Sequence, residues 1–222
     1  MTINFPQTTL VNKVVPKTSF YRFMDINTKL KQFFINDIEK IVWLYKLAPS
    51  TLNVNNGKTV HEITVFEVYL KSENFSEELF RFIDEKMPRH IVFIIRAGER
   101  CRLLVNYKEW IDEQKGLFSI TRSFVTPWIK AESCTLEIQG LTLDRVYENF
   151  VSQISGLKLS EEIDLSELVE LEKRMQSKRK EIESLKKRIK KEKQYNRQLE
   201  LNNHRKRLDK ELATLINQLQ NS

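Results

Sequence analysis

Apolar positions change their spacing repeatedly along this chain, and each change predicts a new element. Ile26, Leu30, Phe33, Phe34 and Ile38 recur at helical intervals, on a helix that Asp25 or Asn27 would cap. Residues 41–45 are apolar on both sides, as a central strand requires. Pro49 and residues 50–57 read as a loop. Over 59–71 both alternating faces are again apolar, which predicts a buried strand with one carboxylate, Glu67, inside it. Residues 76–87 return to helical spacing through Leu79, Phe80, Phe82, Ile83 and Met87. Residues 90–96 and 101–107 predict two strands joined at Ala97-Gly98-Glu99, with further strands at 118–125 and 134–138. A helix over 141–155, ended by Gly156, closes this part. Ahead of it all, Pro6 and Pro16 bracket a leader that reads as a strand or irregular arm.

This order of elements predicts an α+β domain over residues 1–158, one mixed β-sheet with helices mostly on one face. The tail, 159–222, has a different rhythm. Leu168, Leu171, Met175, Ile182, Leu185 and Ile189 hold the apolar positions of a heptad, interrupted by Lys178. That is the pattern of a helical coiled coil, and its seam needs a protein partner, a second copy or the chain itself to cover it. A second stripe, Leu201, Leu208, Leu212, Leu215 and Leu219, is displaced by about a third of a turn. Neither Gly nor Pro follows Gly156, and good helix formers lie between the stripes, which favours one continuous helix. An antiparallel hairpin turning near Asn202-Asn203 is the other arrangement.

Composition then removes function classes. The 222 residues are 41% apolar, enough for one core with an appendage. The densest apolar run, 91–95, is far too short for a membrane span, and the first residues lack a signal peptide's basic end. Cys101, Cys134 and the scattered His61, His90 and His204 offer neither a disulfide framework nor a zinc site. The expectation is a cytoplasmic protein with no membrane contact, no cofactor and no metal.

Charge brings in candidate chemistry. The net charge is +7, yet residues 161–172 carry only acidic charges, while 173–193 carry eleven Lys or Arg against Glu181, Glu183 and Glu192. A solvated helix face and a phosphate-binding surface explain this equally well. In the domain, Lys13, Lys17, Tyr21, Lys46, Lys71 and Lys108 are candidates for binding DNA or RNA, lysine for phosphates and tyrosine for stacking. Solvated lysines at strand ends are the plain alternative. Glu67 and Lys71, with Glu62, form the one acid–lysine group worth testing as a metal-dependent nuclease site. Their spacing is four rather than two, which favours a structural ion pair between Glu67 and a nearby lysine.

Several segments taken together resemble a known family. They are residues 11–21 (VNKVVPKTSFY), 43–53 (WLYKLAPSTLN), 62–71 (EITVFEVYLK), 83–88 (IDEKMP), Tyr107-Lys108 and 192–202 (EKQYNRQLELN). The family is the bacterial and archaeal domain of unknown function numbered four thousand three hundred and ninety-one. The chain departs from its pattern at Thr126-Pro127-Trp128, where Thr-Glu-Trp is expected. Members look like companions of DNA methyltransferases and helicases in modification or phage-defence loci. The resemblance implies association with such a system, and together with the apolar seam this leads to the reading of a non-enzymatic accessory or adaptor subunit. That subunit would bind a protein partner, a helicase or methyltransferase being the candidate, through its helical tail and nucleic acid through its basic surface. A degenerate or active metal-dependent nuclease-like domain is the alternative.

Overall fold

The structure is a computed structural model that describes residues 3–23, 26–112, 115–157 and 165–220. It divides into two units, Met1–Leu157 and Lys158–Ser222. The first is built on a seven-stranded mixed sheet, flanked in chain order by β1 (Leu10–Val15), α1 (Lys17–Phe23), α2 (Thr28–Asn36), β2 (Ile38–Leu47), α3 (Pro49–Leu52), β3 (Ile63–Leu70), α4 (Glu77–Glu85) and β4 (His90–Ala97). β5 (Arg100–Asp112), β6 (Leu117–Val125), β7 (Ile129–Lys130) and α5 (Leu143–Ser155) complete it. Strands β1 to β6 lie in chain order, and β7 pairs with β5. Every ladder is antiparallel except β3–β4, which the α4 crossover makes parallel.

The apolar faces explain the layering. Phe66 and Val68 on β3, with Phe93 and Ile95 on β4, bury one face beneath Phe20 of α1, Leu30 and Phe34 of α2, and Leu79, Phe80 and Ile83 of α4. Both strands are apolar on the second face as well, so that face also needs a cover. Helix α5 supplies it: Tyr147 meets His90, and Phe150 stacks on Phe5. Helices α1, α2 and α4 therefore share one face and α5 covers the other, in keeping with helices mostly on one face.

Local chemistry sets the boundaries. Asn27 caps α2 by accepting from the Leu30 N–H at 2.9 Å, Thr142 caps α5, and Gly156 ends α5 at φ +74°. Two expectations need correction. The leader bracketed by Pro6 and Pro16 holds a strand, β1, as expected, but a helix, α1, follows it at Lys17, ahead of the first helix expected from Asp25. Residues 134–138 form no strand, although Cys134 and Leu136 are buried in alternation. The Gln153 side chain of α5 takes both backbone groups of Glu137, at 2.9 and 2.7 Å, in place of a neighbouring strand.

The second unit is two helices, α6 (Leu165–Lys191) and α7 (Tyr195–Gln220). Cross-contacts run antiparallel: Gln198 reaches the Ile189 carbonyl, His204 faces Glu181, and Lys178 pairs with Glu211. Ile182, Leu185 and Leu208 are buried between the helices, with Leu201 and Leu212 against them. The continuous helix is thus overturned in favour of a hairpin, and its turn lies at 192–194 instead of at Asn202-Asn203. Glu192 makes that turn: its carboxylate accepts the N–H groups of Lys193 and Gln194, each at 2.9 Å. A glutamate side chain here accepts backbone N–H groups just ahead of a helix, as Ser, Asp or Asn does at more familiar helix starts.

Candidate nucleic-acid interface

The candidate lysines of the first unit are mostly engaged by the protein. Lys17 donates to the carbonyls of Phe34 and Ile38 at 3.3 and 2.8 Å, and Lys71 donates to that of Ile35 at 3.1 Å. Both amines serve the carbonyl-rich end of α2, a site that favours a cation. Burial and the nearby Lys71 lower the Lys17 pKa. Lys46 pairs with Glu62 at 3.1 Å, near the far end of β2. Eight residues of strand separate Ile38 from Lys46, about 26 Å, so Lys17 and Lys46 do not share a surface. Lys13 is exposed on the edge strand β1, opposite Trp43, where a lysine also guards against strand addition. The Tyr21 side chain lies outside the described residues.

Lys108 is no surface residue at all. Its side chain and that of Asp84 are fully buried, 2.5 Å apart. Its ammonium also donates to the carbonyls of Asp84, Met87 and Arg89 at 2.6, 3.1 and 2.6 Å, and Asn106 donates to Asp84 at 2.7 Å. Burial raises the Asp84 pKa to about 6, with Lys108 and Asn106 opposing that rise.

Glu67 is 4% exposed within β3, and its partners are Arg96 of β4 and the Tyr69 hydroxyl at 2.8 Å. The ion pair is with an arginine, not the lysine expected, and Lys71 is committed elsewhere. Burial, then the Glu67 contact, push Tyr69 up to about 12, so it remains a donor. Arg96 also lies near Cys101, which meets Cys134 as a second buried free thiol, 2.8 Å away. Replacing Glu67 with glutamine leaves Arg96 facing a neutral amide in a closed site. The expected cost is about 1–3 kcal/mol of unfolding free energy, read by urea titration.

The hairpin gathers what the domain does not. Folding lays the basic end of α6 back along α7, which carries Arg197 in its first turn and Arg205, Lys206 and Arg207 near its middle, so that residues 186–207 hold ten Lys or Arg against Glu192 and Glu200. Lys186 is paired with Glu183, and Arg205 with Asp209. Lys187, Arg188, Lys190, Lys191, Lys193, Arg197 and Lys206 form no direct ion pair among the described residues, although Lys187 and Lys190 lie near Glu183 and Arg197 near Glu192. A shallow groove of about 350 Å³ runs between the helices here, bordered by Lys186, Lys187, Lys190, Asn202 and Arg205, with Glu183 as its one carboxylate. Tyr195, 74% exposed, opens α7 beside these cations. Of the seam residues, Met175, Ile182 and Leu185 are buried, Leu171 and Ile189 half-buried, and the Leu168 side chain lies outside the described residues.

A family model described as Domain of unknown function (DUF4391) matches residues 3–212. The chain belongs to that family. No curated protein and no solved structure matches it. The DUF4391 span takes in both units and the whole basic turn. No helix of the described residues is long and apolar enough to cross a membrane. The basic run of α6 is visible in the sequence, but its juxtaposition with Arg197 and residues 205–207 is not, because that depends on where the chain turns.

Proposed function

We propose that this DUF4391 chain is a non-enzymatic accessory protein that holds nucleic-acid phosphates on the turn end of its helical hairpin. The setting is the DNA modification or phage-defence system that the family resemblance implies. The observation that supports this reading is the strongly basic end of α6 folded back along Arg197 and Arg205–Arg207 of α7. So many adjacent cations repel one another, and a polyanion relieves that repulsion while releasing its own counterions. Lysines on exposed stems suit phosphates, and Tyr195 suits the face of an unpaired base.

The two competing readings draw less support. Contact with a helicase or methyltransferase through the apolar seam has to displace α7, which already covers Ile182 and Leu185. Nuclease chemistry at Glu67 and Lys71 has to free both from the partners that hold them.

The test is fluorescence anisotropy with labelled duplex and single-stranded oligonucleotides, using the full chain. Affinity is expected to fall steeply between about 50 and 200 mM salt. Changing Lys187, Lys190, Lys191 and Lys193 together to glutamine lowers the salt slope on duplex DNA by roughly 0.9 for each phosphate no longer neutralised. Changing Lys13 and Lys46 leaves that slope as it was. Absence of binding at the lowest salt, or an unchanged slope in the quadruple variant, sinks the reading.

A further inference from the structure

A second polar site lies in the first unit, at the ends of β3 and β4 where the two parallel strands begin. There a cavity of about 240 Å³ is bordered by Thr59, His61, Glu62, Arg89, His90 and Trp110. Its outer wall is a loop held in place from behind. The Asp144 carboxylate accepts the N–H groups of Lys58, Thr59 and Val60 at 2.6, 3.1 and 2.8 Å, and the Thr59 hydroxyl at 2.9 Å. Gly57 makes this clasp possible: a Cβ there would lie 2.4 Å from Asp144 Oδ1. A wall fixed in this way needs no rearrangement to receive a ligand.

Three features define what fits. Trp110 is half-buried, with one ring face stacked on Phe118 at 3.6 Å and its indole N–H given to the Thr59 carbonyl. What remains for a ligand is the other aromatic face. Glu62 is held by Arg89 at 2.8 Å and by Lys46 at 3.1 Å, so the rim offers both acceptors and donors with little net charge. His90 is 3% exposed, and its ring nitrogens make no hydrogen bond among the described residues. Burial and Lys108 push its pKa down to about 3, which keeps the imidazole neutral with one donor and one acceptor. The imidazole borders the cavity, where it has a donor and an acceptor to offer.

A bare anion does not suit a wall containing Glu62 and a neutral imidazole, and a purely apolar molecule leaves His90 unsatisfied. A planar ring with donors and acceptors on its edge suits every feature. We infer that this cavity binds a single nucleobase, stacked on Trp110 with its polar edge toward His90 and the Glu62–Arg89 pair. The volume holds a base and leaves sugar and phosphate at the mouth, near the partly exposed Arg89 and Lys46. The base comes either from a free nucleotide or from an unpaired nucleotide within a strand.

The site is independent of the hairpin, so the two readings fail separately. The experiment titrates the full chain with the four ribonucleoside 5′-monophosphates and follows the His90 imidazole signals by NMR, with Trp fluorescence in parallel. Saturable shifts at His90 with at least one base are expected, and Trp110→Leu weakens that binding about tenfold or more, as removal of one stacking ring implies. Because Trp110 also supports Phe118, Trp110→Phe and Glu62→Gln accompany it: the first retains most of the binding, the second changes which base is preferred. Oligonucleotides with and without one abasic position separate the two sources, since only a strand-borne base makes the abasic strand bind less well. The hairpin quadruple variant keeps the monophosphate response. No His90 shift with any monophosphate or oligonucleotide overturns the inference and leaves the imidazole to water, as does equal binding by folded Trp110→Leu.

Discussion

Replacing Lys108 with methionine is expected to cost the first unit about 3–5 kcal/mol. The ammonium neutralises Asp84 and also occupies the carbonyls of Asp84, Met87 and Arg89, which close α4 and the turn into β4. Methionine fills similar space but leaves a buried carboxylate with only the Asn106 amide, together with stranded carbonyls. The pH dependence carries the signature. Burial already raises the Asp84 pKa to about 6 against the pull of Lys108, and without Lys108 the rise goes unopposed. A carboxyl whose folded pKa exceeds its unfolded value holds its proton more tightly when folded, so it contributes stability at low pH that is lost as pH rises through the folded pKa. The variant should therefore lose more at pH 8 than at pH 5. Asp84→Leu combined with Lys108→Met removes both charges and should recover much of the loss. Urea titrations of the variants at the two pH values decide it. A Lys108→Met cost under about 1 kcal/mol, equal at both, means the pair is not closed from water.

The role of Lys108 was partly legible in the sequence. Along β5, Leu104 and Asn106 share the inward face, and the strand rhythm carries Lys108 toward the same side. Residue type pointed to phosphate while position pointed to the core, and position prevailed because Asp84 was available to neutralise the charge. Glu67 was the opposite case, since an acid between apolar neighbours on both faces of β3 could only be buried and paired. Its partner remained open because Arg96 arrives through the β3–β4 register, which no local pattern encodes. Residues 134–138 failed as a strand for a similar reason. Their alternation is real, but a side chain from α5 meets their backbone where a ladder was expected.

The tail is helical, as its spacing predicts, but it is broken where the residues between the stripes favour continuity. Its two apolar stripes, out of phase with each other, were already the mark of two helices facing one another. What hid the turn was the lack of Gly or Pro: Glu192 supplies the acceptor that ends the register, and a charged glutamate looks like an ordinary helix former. The cavity beside His90 was not legible at all, because His61, His90 and Trp110 come together only through the loop that Asp144 holds.

Changing Ile182 and Leu185 together to aspartate is expected to open the hairpin. These side chains are 4% and 3% exposed and form, with Leu208, the centre of the α6–α7 contact. Each loses roughly 2–5 kcal/mol of apolar burial, and each new carboxylate is either stripped of water or forces the helices apart. A two-helix unit has little reserve, since helix propensity alone seldom holds such segments in water. The cross-hairpin ion pairs cannot compensate, because Lys178–Glu211 and His204–Glu181 are partly open to solvent, where such pairs contribute little. Circular dichroism should show a loss of helicity, and limited proteolysis should show new cleavage within 165–220. The first unit, with a core of its own, should keep its thermal transition. Nucleic-acid affinity gives a further readout. The variant lowers the net charge by two, which by itself weakens binding only slightly, whereas separation of the basic end of α6 from the cations of α7 dissolves the shared surface. Unchanged helicity with weakened binding assigns the effect to charge alone, and unchanged helicity with unchanged binding shows that the seam does not hold α6 to α7. Loss of both together ties the phosphate surface to the hairpin fold.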